Sequence, residues 1–142
     1  MLSILLFAVA WVACLAQSNE FSSYSSAVGL GGGTPFSSTG EGCITGLKVW
    51  EHPDSYITGI QLRHGANWGS VLGDVTTSEL SMELFEGEAI VQVSGKYNPE
   101  DYIYQLIFRT NRGRSLIAGQ PLQVLFPLFI SLFILIFFVS TY

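Results

Sequence analysis

Five short runs in the middle of the chain carry strand-like spacing of apolar side chains: Ile44 to Trp50, Ile57 to His64, Leu80 to Phe85, Ala89 to Ser94 and Tyr102 to Thr110. Ile60 and Leu62, and again Tyr104, Leu106 and Phe108, repeat with the two-residue period of a strand that buries one face. Turn-forming residues separate the runs: His52-Pro53-Asp54, Gly65-Ala66-Asn67, Glu86-Gly87, Asn98-Pro99 and Asn111-Arg112-Gly113. Ala, Glu, Lys and Leu dominate no central window, whereas 15 Gly, 10 Phe, 6 Tyr and 3 Trp suit tight turns and half-buried strands. The pattern predicts an all-β fold, and 142 residues with strongly apolar ends leave room for one domain.

The two ends differ from this middle. Leu2 to Ala13 is an apolar run broken only by Ser3, and Cys14-Leu15-Ala16 places small residues three and one positions before a cut ahead of Gln17. Residues 1–16 therefore read as a signal peptide, residues 17–28 as a Ser-rich segment, and the protein as secreted or held at the cell surface. Removing Cys14 would leave Cys43 without an internal partner, which excludes a disulfide-stapled scaffold and leaves two readings for Cys43, pairing between chains and, ahead of it, a buried thiol. No Asn-x-Ser/Thr acceptor is present. At the other end, residues 121–142 form a hydrophobic tail in which the 18 residues Leu122 to Val139 carry no charge. Three readings stand for it: a single-pass transmembrane helix of just sufficient length, a glycolipid-anchor signal with Gly113 and Ser115 as small residues, or an alternative chain end.

Charge narrows the function. Charged residues make up 12% of the chain and the net charge is -5, so it lacks the basic footprint that nucleic acid demands. Arg109, Arg112 and Arg114 read as solvated hairpin side chains, and Glu79, Glu83, Glu86 and Glu88 as a solvated strand face. His52 and His64 lie 12 positions apart with no carboxylate or cysteine at ligand spacing, so neither a metal nor another cofactor is expected. No nucleophile-elbow sequence supports a catalytic triad, and the chain is not expected to be an enzyme.

Ile44-Thr45-Gly46-Leu47-Lys48-Val49 is echoed by Ile57-Thr58-Gly59-Ile60-Gln61-Leu62 and, more loosely, by Ile103-Tyr104-Gln105-Leu106-Ile107-Phe108, which suggests one sheet unit used several times. A triple-glycine turn precedes Phe36-Ser37. Then come Ile44-Thr45-Gly46-Leu47, Ile60-Gln61-Leu62-Arg63 with Gly65 and Trp68, Val91-Gln92-Val93-Ser94-Gly95-Lys96-Tyr97, and Phe108-Arg109-Thr110 with Gly113-Arg114. In this order the motifs resemble those of jacalin-type lectins, most nearly the zymogen granule membrane protein 16-like lectins of animals, from about residue 29 to 120.

The resemblance implies a β-prism I of three Greek-key sheets, here incomplete, that binds glycans of the mannose type. It places the sugar against Gly31, Gly32 and Gly33, whose bare backbone approaches a hydroxyl-rich ligand, and against a loop from Lys96 and Tyr97 to Tyr102. The third family element, a late Gly-x-x-x-Asp loop, occurs nowhere in the chain. The alternative readings are a shortened targeting domain of a pore-forming or defence protein, and a product without function.

Overall fold

The structure is a computed structural model and describes residues 38, 40 and 42–120, together with the backbone of Phe126–Ile130. The expected signal peptide, the Ser-rich segment and Gly31, Gly32 and Gly33 lie outside the described residues.

Chain order runs β1 (Ile44–Glu51), β2 (Ile57–His64), β3 (Asn67–Trp68), β4 (Leu72–Gly73), β5 (Ser78–Glu83), β6 (Ile90–Tyr97), β7 (Ile103–Thr110), β8 (Ser115–Ala118) and β9 (Phe126–Ile130). The strands form two antiparallel sheets. The first has the order β3-β2-β1-β5, with β4 also on β2, and the second has the order β8-β7-β6-β9. In each, the last strand returns to lie beside the first, which is the Greek-key order.

The two sheets repeat one another 46 residues apart. Ile44 and Ile90 open the first strand of each key, Ile57 and Ile103 open the second, and both hairpins have register irregularities at the same two places. One falls between Ile44 and Gly46 and between Ile90 and Gln92; the other falls between Trp50 and Glu51 and between Lys96 and Tyr97. Such bulges pin register and increase local twist. Gly73 and Gly119 also correspond, with φ of 89° and 80°, and each lies so close to a strand carbonyl, Thr58 or Tyr104, that a side chain would collide with it. The true repeat therefore pairs β2 with β7. The echo of β1 in β2 joins neighbours within one hairpin.

Inward-facing residues of both sheets share one core: Leu47, Val49, Ile60, Leu62 and Met82 from the first, and Val93, Leu106, Phe108, Leu116 and Ala118 from the second. The Glu51 carboxylate ties the sheets together, accepting bonds from the Gly119 amide at 2.5 Å and from the Ser78 hydroxyl at 3.3 Å. Two of the three sheets implied by the resemblance are thus on hand.

Several expectations are corrected. Phe126–Ile130, inside the stretch expected to span a bilayer as a helix, is a strand that pairs with β6 from Val93↔Ile130 to Tyr97↔Phe126. Among the described residues no helix is long and apolar enough to cross a membrane. An apolar run does not distinguish helix from strand, and Pro127 is compatible with the edge position of β9. Cys43 is exposed, not buried, because it precedes β1 outside the core.

Candidate functional site

The expected recognition loop is the turn between β6 and β7. Lys96 is exposed near the end of β6, and Tyr97 closes that strand half-buried against the core. The chain then reverses through Asn98-Pro99-Glu100-Asp101. The Asn98 amide donates to the Tyr102 carbonyl at 2.9 Å, the Asp101 amide to the Asn98 carbonyl at 3.3 Å, and the Glu100 amide to Asn98 Oδ1 at 3.2 Å. Asn98 acts here as Asn commonly does in turns, bonding its own backbone two residues on. The Asp101 carboxylate accepts from the Tyr102 amide at 2.5 Å and from the Tyr104 hydroxyl at 3.1 Å. Burial, then the bond to Asp101 and its charge, push the Tyr104 phenol above its ordinary pKa, so it stays a donor.

Lys96, Tyr97 and Tyr102 thus gather around one hairpin end, while the placement of the three glycines is outside the described residues. Tyr102 is not a free platform. Its ring stacks on Tyr56 with centroids 4.0 Å apart and planes 10° apart, and meets Tyr104 edge-on at 6.4 Å. Tyr56 also meets Tyr104 edge-on at 6.4 Å, and His52 stacks on Tyr56 at 5.6 Å.

Sequence reasoning missed His52, Tyr56 and Tyr104 as parts of this end. The signal was present: His52-Pro53-Asp54-Ser55-Tyr56 and Asn98-Pro99-Glu100-Asp101-Tyr102 share a Pro-acid-x-Tyr pattern at the 46-residue offset. The first turn is bonded in the same way, with the His52 amide donating to the Tyr56 carbonyl at 2.8 Å and the Ser55 amide to the His52 carbonyl at 3.0 Å. Asp54, exposed at its tip, has φ of 55°, a left-handed conformation that Asp tolerates better than most residues.

Elsewhere the charged residues are more structured than expected. Glu88 is buried, not solvated. Its carboxylate accepts from the Thr110 hydroxyl at 2.6 Å, the Phe85 amide at 3.0 Å and Arg114 Nη1 at 2.7 Å. Burial pushes its pKa up, but these three bonds and the Arg114 charge outweigh burial and hold it below the usual carboxylate value. Arg114 is likewise not simply solvated, since its guanidinium lies 4.5 Å from the ring centroid of Phe85. Arg109 is exposed as expected, whereas Arg112, though exposed, donates to the Glu86 carbonyl at 2.5 Å and lies 5.7 Å from the Phe85 ring centroid. Among the described residues no group of three potential metal ligands occurs.

The hairpin end can therefore offer hydrogen bonds, one cation and aromatic edges to a neutral polar ligand. A jacalin-like lectin domain family model matches residues 25–128. The chain belongs to this family. As a jacalin-like domain it is 40% identical over 102 residues to human zymogen granule membrane protein 16, covering 70% of this chain and 59% of that protein. This chain thus spans less than two thirds of that relative's length. A solved prostate-specific WGA16 glycoprotein lectin is similar at 27% identity with a TM-score of 0.62, over 82% of this chain and 89% of that one. Artocarpin complexed with Me-alpha-mannose shares the fold, at 20% identity and a TM-score of 0.57, over 75% of this chain and 79% of that one.

Proposed function

We propose that this jacalin-like domain is a carbohydrate-binding module of the secretory route, without catalytic activity. It contacts mannose-type glycans through Lys96, Tyr97 and Tyr102, with the bare backbone of Gly31, Gly32 and Gly33 as the family-type second contact. The family match over residues 25–128 carries this reading. The solved WGA16 lectin, similar over most of the chain, supports it, as does the mannose derivative named with artocarpin. The apolar leader before Gln17 and the likeness to a zymogen granule protein support the secretory route.

Affinity for a single sugar is low, because no Gly-x-x-x-Asp loop is present to supply an accepting carboxylate. A hydrogen bond to a charged acceptor is worth about 1.5–3 kcal/mol, so its absence weakens binding at least about tenfold. Binding then depends on multivalent display. The test is a glycan array probed with the chain beginning at Gln17, displayed multivalently and, separately, as a monomer. The multivalent form should bind clustered mannose-type glycans and lose that binding in Lys96→Ala; the monomer should give little signal. No binding to any glycan at high display density would refute the reading.

A further inference from the structure

The two Pro-acid-x-Tyr turns come from different Greek keys, yet they meet. Each turn is closed by the same pair of backbone hydrogen bonds, and each ends in a tyrosine at the same repeat position. Those two tyrosines are the ones stacked at 4.0 Å. The bonds within Asn98–Tyr102 set the shape of the second turn, but none of them ties it to the first sheet. Tyr104, its other ring contact, belongs to its own key. The stack on the Tyr56 ring therefore gives the second turn a direct contact with the first key, beside the packing of Tyr97 on the shared core, and His52 stacks on that ring in turn.

We propose that Tyr56, backed by His52, is a positioning residue for the candidate glycan-contacting segment Lys96 to Tyr102. The functional half of this inference rests on the carbohydrate reading; the mechanical half does not. Stacking explains why an apolar substitute of similar bulk should fail. Tyr56→Leu would fill space without a flat face for Tyr102, whereas Tyr56→Phe would keep the face and lose only a hydroxyl. A stacked aromatic pair contributes enough beyond burial to change an equilibrium about two- to tenfold.

The experiment compares wild type, Tyr56→Phe, Tyr56→Leu and His52→Ala in the chain beginning at Gln17, with two readouts. The first is multivalent binding to the glycan array. Tyr56→Leu should lower it about two- to tenfold, His52→Ala less, and Tyr56→Phe should bind as wild type does. The second is amide hydrogen exchange at Asp101 and Tyr102, which donate to the Asn98 carbonyl and to their own turn's carboxylate. Exchange there should quicken in Tyr56→Leu and His52→Ala and stay at the wild-type rate in Tyr56→Phe, with mid-strand Leu106 unaffected in all three.

If wild type binds no glycan, the carbohydrate reading fails and the exchange arm alone decides the positioning role. Unchanged exchange at Asp101 and Tyr102 in both Tyr56→Leu and His52→Ala overturns the proposal. So does a loss of protection that extends equally to Leu106, which would mark Tyr56 as a general stabiliser. His52 is exposed, so His52→Ala keeps the test decisive should Tyr56→Leu not fold.

Discussion

The two Greek keys share a backbone plan and fill it differently. Identical residues stand at the points where geometry is demanding: Pro53 and Pro99 in the turns, Tyr56 and Tyr102 at their ends, Ile57 and Ile103 opening the second strands, and Gly73 and Gly119 at positive φ. Between them the residues diverge. Trp50 corresponds to Lys96, Thr58 to Tyr104, and Gly42 to Glu88. The first key closes with the mainly polar strand β5, Ser-Glu-Leu-Ser-Met-Glu, and the second with the apolar β9, Phe-Pro-Leu-Phe-Ile. A few turn, bulge and glycine positions evidently suffice to repeat the architecture, while the intervening side chains are free to differ: the second key carries both the candidate recognition turn and the Glu88 clasp, and the first has neither a lysine nor a glutamate at the positions matching Lys96 and Glu88.

The largest effect should come from the paired core positions. Leu62 and Phe108 correspond across the repeat, and both are buried in the shared core. Phe108→Ala should cost about 3–5 kcal/mol and Leu62→Ala about 2–5 kcal/mol in denaturant unfolding, each as a single cooperative transition. If Leu62→Ala melted the first key while the second stayed folded, the keys would be independent units and the shared core would be wrong.

A smaller effect is expected at the paired glycines. Gly73→Ala and Gly119→Ala each introduce a side chain at positive φ against a strand carbonyl. About 1–3 kcal/mol should be lost at each, measured by the shift of the urea midpoint. The repeat is weakened if one substitution is neutral and the other is not.

Glu88 separates the keys by pH. Its folded pKa is depressed, so the stability that it contributes is present above the pKa of an unfolded glutamate and is lost as pH falls through its lower folded value. Unfolding midpoints measured from neutral pH into acid should fall in wild type, and Glu88→Gln should flatten that fall. A wild-type acid profile unchanged by Glu88→Gln would show that the clasp is not what separates the two keys.

Much of the strand layout was legible. The span Ile57 to His64 coincides with β2, and the runs beginning at Ile44 and Tyr102 differ from β1 and β7 by one residue at an end. These strands are legible because their inward positions alternate with polar ones on one packed face. β5 begins two residues earlier than the expected Leu80, because Ser78 and Glu79 pair with Glu51 and Trp50 at an edge where polar side chains face water. β6 runs on to Tyr97 past the expected Ser94, since Gly95 sits flush against the Gln105 carbonyl and Lys96 lies on the exposed side. β8 is only four residues long, too short for a period to show. β9 has no alternation, so its apolar composition imitated a membrane span.

At the candidate site, Lys96, Tyr97 and Tyr102 were legible as one loop, whereas the Tyr56 contact was not. It joins residues 46 positions apart, and only the repeat that brings them together would have revealed it.

The position of β9 bears on how the domain is made. The first key is complete once residue 83 has emerged from the ribosome, but the second waits for Phe126–Ile130. At roughly 5–20 residues per second, the interval between them is about 2–10 s, whereas a hairpin forms in about 1–10 µs. For most of that time β6 has no neighbour on the side that β9 will cover. An uncovered strand edge is a template for other chains, so the nascent protein is most open to mispairing before its last described strand arrives.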